Sequence, residues 1–82
     1  MKVKVLAPIF AEAASKLVNA TSKYSDTVLI KKDHWVIDAK SLLGILAIAL
    51  QPGQVFELSI DGEAKEELVT ELLSLGIFEV EE

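Results

Sequence analysis

A chain of 82 residues with 51% hydrophobic side chains, 4 Gly and 2 Pro has the composition of one packed domain, expected over residues 1–82, and is too short for two independent cores. It has no cysteine, which excludes disulfides and thiolate metal sites, and its 8 basic residues are all lysines against 13 acidic ones, so that nucleic acid is not an expected partner of a chain with charge −5 and no arginine. No apolar run approaches the roughly 20 residues of a membrane span, and Met1-Lys2-Val3-Lys4 does not begin a signal peptide, so a cytoplasmic protein without membrane insertion is expected.

Lys2 to Leu6 alternates charged and apolar residues, the period of a strand with one buried face, and Ala7-Pro8 ends it. Over Ala11 to Lys23 the spacing of Ala14, Leu17, Val18 and Thr21 predicts a helix, with Glu12, Lys16, Asn19 and Lys23 largely outside its apolar stripe. Thr27 to Lys32 and Trp35 to Asp38 are β-branched and aromatic runs on either side of Asp33-His34, a pair that accepts positive φ, and together they predict a hairpin. Ser41 stands directly before Leu42-Leu43-Gly44-Ile45-Leu46-Ala47-Ile48 and is placed to cap a short apolar helix, which Gln51-Pro52-Gly53-Gln54 closes with turn chemistry.

Val55 to Asp61 alternates again, with Phe56, Leu58 and Ile60 on one side. A last helix follows Asp61-Gly62-Glu63, with Glu63, Glu66 and Glu67 in its first turns, Leu68, Leu72 and Leu75 facing inward, and Gly76 as its C-terminal cap. The expected order is βαββαβα, an α+β fold with a four-stranded antiparallel sheet and three helices on one face.

This order resembles HPr, the histidine-containing phosphocarrier of the sugar phosphotransferase system. Lys40-Ser41-Leu42-Leu43-Gly44-Ile45-Leu46 is similar to the family's regulatory-serine segment, and Ser22-Lys23-Tyr24 at the end of helix one and Pro52-Gly53 before the fourth strand support the likeness. The resemblance implies that the family's catalytic stretch, Ile/Leu-His-Ala-Arg-Pro-Ala, falls on Ile9-Phe10-Ala11-Glu12-Ala13-Ala14. Histidine is then replaced by Phe10, arginine by Glu12 and proline by Ala13. Phe10 has no nucleophilic atom, and a carboxylate at Glu12 opposes an incoming phosphate, so histidine phosphotransfer is not expected.

The same resemblance implies a protein-docking surface at Phe10, Leu42, Leu43, Leu46 and Ile48. A helix this short cannot turn all four of its residues in that set into the sheet, so part of the set is expected to be exposed. Ser41 has two compatible readings, a helix cap and a site of regulatory phosphorylation. The expectation is a non-enzymatic regulatory or adaptor protein whose partner is a phosphotransferase-related or regulatory protein. Two other readings are a carrier that uses another nucleophile, Ser15 or Ser41, and a structural homo-oligomer, such as a homo-dimer, formed through an open sheet face at Leu29 and Val36. No cofactor is implied. No metal is implied either, because His34 is the only histidine, Asp33 is adjacent to it, and nothing else completes a ligand set.

Overall fold

The computed structural model describes residues 1–81, and its sheet follows the alternation of the sequence. β1 (Lys2–Val5) pairs antiparallel with β4 (Val55–Asp61), Val3 opposite Phe56. β2 (Thr27–Lys32) pairs with β4 on the other side, Ile30 opposite Leu58, and β3 (Trp35–Asp38) closes the hairpin with Ile37 opposite Ile30. Residues opposite one another share a face. Val3, Val5, Val28, Ile30, Phe56 and Leu58 are accordingly all buried on one side, while Lys2, Lys31 and Glu57 face out on the other. The hairpin turn puts Asp33 at φ 55, the positive value expected of Asp33-His34.

The three helices, α1 (Glu12–Ser22), α2 (Leu42–Ile48) and α3 (Lys65–Ser74), cover the apolar face. Ala14, Leu17 and Ala20 from α1, Ile45 from α2 and Leu68 and Leu72 from α3 are buried with the strand residues in one cluster. Connecting segments add Ile9, Ala39 and Leu50, each fully buried. Val18 and Leu75, expected to face inward, are half-buried against that cluster.

Where four strands are expected, the described residues form a sheet of five, in the order β3-β2-β4-β1-β5. Gly76, at φ 77, ends α3 and returns the chain to the sheet, where β5 (Phe78–Val80) pairs antiparallel with the outer edge of β1. Phe78 is buried with its ring edge-on to Phe56, the centroids 5.5 Å apart. Three residues are too few to establish a period of two, so the element is silent in the sequence pattern.

Among the described residues two polar side chains are buried. Asp26 accepts a hydrogen bond from the amide of Ala64 at 3.0 Å and so supports the start of α3. A Cβ on Gly62 would lie 2.3 Å from its carboxyl carbon, so the close approach requires glycine there. Thr21 is the other, and it belongs to the site described next.

Candidate functional site

The segment entering α1 is a tight turn. The amide of Ala13 donates to the carbonyl of Phe10 at 3.2 Å, and Ala11 between them has φ 51 and ψ −117. Those angles match the first central position of a type II′ turn, where glycine is favoured, so Ala11 is strained by about 1–3 kcal/mol. The turn points Phe10 outward, and the residue is 64% exposed. No side chain caps α1. Glu12, in the first turn, complements the helix dipole and forms an ion pair with Lys16 one turn on at 3.5 Å, with both side chains largely in solvent.

The amide of Ile9 donates to the carbonyl of Leu50 at 3.0 Å, and both residues are fully buried, so Phe10 is fixed beside the C-terminal end of α2. At the other end of that helix Ser41 is the cap, its hydroxyl oxygen accepting from the amide of Gly44 at 3.2 Å. Gly44 has a packing reason as well: a Cβ there would stand 2.7 Å from Cγ2 of Ile37, so glycine lets α2 seat on β3.

The approach to Ser41 is tightly held. The Asp38 carboxylate accepts from the amide of Lys40, and its carbonyl accepts from that of Ser41, both at 2.9 Å. The amide of Ala39 donates to Val28, and its carbonyl accepts at 2.9 Å from the hydroxyl of Thr21, buried in α1. Thr21 therefore links the helix that follows Phe10 to the segment that positions Ser41. The expected apolar set divides here. Leu43 is 81% exposed and Leu42 is 40% exposed, whereas Leu46 and Ile48 are half-buried against the core, so the solvent-facing members of that set are Leu42 and Leu43.

Chemically, the start of α1 and the exposed side of α2 offer a phenyl ring, two leucines, the exposed hydroxyls of Ser15 and Ser41 and a self-paired Glu12–Lys16, with no imidazole. His34 lies elsewhere, exposed in the β2–β3 turn, where Lys32 reaches Asp33 at 3.2 Å. Among the described residues no group of three or more His, Asp or Glu is gathered closely enough to hold a metal ion, and no helix is long and apolar enough to cross a membrane.

The model of the family described as "PTS HPr component phosphorylation site" matches residues 2–76. The chain belongs to the HPr family. It is 32% identical over 73 residues to the phosphocarrier protein HPr of Lysinibacillus sphaericus, covering 84% of this chain and 83% of that protein. The HPr structure from Thermoanaerobacter tengcongensis superposes with a TM-score of 0.83 at 28% identity, over 92% of this chain and 86% of the other. The Bacillus subtilis catabolite-repression protein Crh, solved as a domain-swapped dimer, matches at a TM-score of 0.71 and 25% identity over 88% of this chain and 80% of its own.

One polar cluster of this HPr-family chain lies at the other end of α1. Glu71 of α3 accepts from the Tyr24 hydroxyl at 2.8 Å and from Lys23 at 2.7 Å. The hydrogen bond from Lys23, followed by that from Tyr24, holds the Glu71 carboxyl below its ordinary pKa. The Tyr24 hydroxyl is raised, first by its hydrogen bond to Glu71. Sequence reading did not find this triad, because residues 23–24 and 71 are far apart in the chain. It missed Thr21 as a tie for the same reason, although a hydroxyl on an apolar helix stripe is a signal that a buried acceptor lies opposite.

Proposed function

We propose that this chain is a non-catalytic HPr-family regulatory or adaptor protein that binds a protein partner, phosphotransferase-related or regulatory, and is not a histidine phosphocarrier. The observation that carries the reading is Phe10: the turn before α1 presents to solvent a ring with no atom able to accept a phosphoryl group. Phe10 beside one end of α2 and Leu42 and Leu43 at the other are exposed apolar side chains, and exposed apolar groups of this kind mark contact sites. Leu46 and Ile48, half-buried between them in the chain, are the less exposed part of the proposed partner-binding set.

Glu12 and Ala13 occupy the remaining positions of the former active site. The carboxylate satisfies the positive end of α1 that a phosphate would otherwise use. Ser41 is the position at which docking would be switched, since its hydroxyl is exposed and stands beside Leu42 and Leu43. Phosphorylation there would add about −1.5 to −2 charge next to the apolar surface and weaken an apolar contact by desolvation.

The test has two parts. Incubation with phosphoenolpyruvate and the general phosphotransferase enzyme is expected to leave no acid-labile phosphate on the protein, and stoichiometric labelling would overturn the reading. Backbone NMR during titration with a phosphotransferase partner is expected to shift the signals of Phe10, Leu42 and Leu43 first. Shifts confined to the open sheet face would place docking elsewhere.

A further inference from the structure

We infer that β5 is an edge guard, a strand that keeps the protein monomeric by occupying the outer edge of β1. A four-residue strand with Val3 and Val5 buried on one face is held on its inner side by β4. Its outer side would otherwise offer a row of unpaired backbone groups, and such an edge is a template for pairing with a second copy. β5 fills that row: Val3 is opposite Val80, Lys4 opposite Glu79 and Val5 opposite Phe78. The ladder continues past both ends, the amide of Leu6 donating to Ile77 at 2.8 Å and that of Glu81 to Lys2 at 2.9 Å.

The segment divides its work between two parts. Ile77 and Phe78 are buried and anchor it. Glu79 and Val80 are exposed, so that part adds little to the core, and its contribution is the backbone pairing along β1. Glu79 opposite Lys4 also places unlike charges in register. The new outer edge formed by β5 is only three residues long, too short to pass the liability on. The family match ends at residue 76, just before this strand.

The two flanking bonds, Leu6 to Ile77 and Glu81 to Lys2, fix which amides face β1. Those of residues 77, 79 and 81 point inward and those of 78 and 80 point away. Proline removes one amide donor, so Glu79→Pro and Glu81→Pro break the pairing while leaving Ile77 and Phe78 in place. Val80→Pro removes only an outward amide and is the control. The molar mass of each full-length variant is measured by light scattering over a rising concentration series, with folding followed by circular dichroism.

The parent and Val80→Pro are expected to stay at the mass of one chain, while Glu79→Pro and Glu81→Pro shift toward two chains as concentration rises. A folded Glu79→Pro that remains a single chain throughout, a parent that is already a dimer, or a Val80→Pro control that dimerises equally would each overturn the inference. If the inward prolines prevent folding, amide hydrogen exchange on the parent decides. The Lys4 and Leu6 amides are expected to exchange slowly, and exchange at the rate of free amides would show that β1 has no guard.

Discussion

Replacing Thr21 with valine keeps the shape of a fully buried side chain and removes only its hydroxyl. That oxygen lies 3.1 Å from the carbonyls of Leu17 and Val18 and 2.9 Å from that of Ala39, but it has one proton to donate. The first two carbonyls sit inside α1 and have helix amides as partners, so the group that loses its donor is Ala39, buried where α2 begins. Leaving a buried carbonyl without a partner costs about 1–3 kcal/mol, and the added methyl recovers less than about 1 kcal/mol of it. For a domain of this size each kcal/mol lowers the melting temperature by about 4–8 °C. Thr21→Ser is the matched control, since it keeps the hydroxyl and loses a methyl. Urea denaturation followed by circular dichroism is expected to place valine below the parent by about 1–2 kcal/mol, with the denaturant slope unchanged. A valine variant as stable as the parent would refute the tie between α1 and the Ser41 segment.

Three further outcomes follow from the geometry of the site and its surroundings. Ala11→Gly relieves the positive-φ turn and is expected to raise stability by about 1 kcal/mol in the same denaturation experiment; a loss would mean that the turn is not strained. Ser41→Ala should cost about 1 kcal/mol through loss of the bond to the Gly44 amide, while Ser41→Asp, also a good cap, should be nearly neutral. Because Glu71 is held below its ordinary pKa of 4.5, its contribution is fully present above that value and is lost as pH falls through the lower folded value. The stability difference between the parent and Glu71→Gln should therefore shrink in acid, and a difference constant down to pH 3 would contradict the Lys23–Glu71–Tyr24 cluster.

The strands β1 to β4 and the helices were legible because each repeats its period long enough to register: Val3 and Val5 alternate with lysines, and Ala14, Leu17 and Thr21 lie on one helical stripe. The cap at Ser41 and the positive φ at Asp33 were legible from local chemistry alone. β5 was not, because Phe78 to Val80 has no length to show a pattern and its reason for pairing is the edge of a strand at the far end of the chain. The burial of Ile9, Ala39 and Leu50 was invisible for a related reason: they sit in connections, where no periodicity marks a face, and tertiary contacts decide. The apolar set on α2 was legible as too crowded to be wholly buried. Its division into exposed Leu42 and Leu43 and half-buried Leu46 and Ile48 depends on how the helix rotates as Gly44 seats on Ile37.

The proposal that Phe10 stands at the position of the phosphoryl acceptor and disarms it is tested by restoring the histidine. Phe10→His supplies a nucleophile, yet Glu12 remains close by as a like charge to phosphohistidine. At about 4 Å in water such a pair costs roughly 1 kcal/mol, rising to about 4 kcal/mol at an effective dielectric of 20. Glu12 is 84% exposed and paired with Lys16, so the lower figure applies, equivalent to about five- to tenfold. Arginine reverses the sign and adds donors shaped for phosphate. The measurement is transfer of labelled phosphate from phosphoenolpyruvate, through the general phosphotransferase enzyme, to the parent, Phe10→His and Phe10→His with Glu12→Arg, all shown to be folded. No label is expected on the parent, little on the single variant and about five- to tenfold more or better on the double. Labelling of the parent would contradict the proposal outright, and equal labelling of the two variants would show that Glu12 is no part of the lesion.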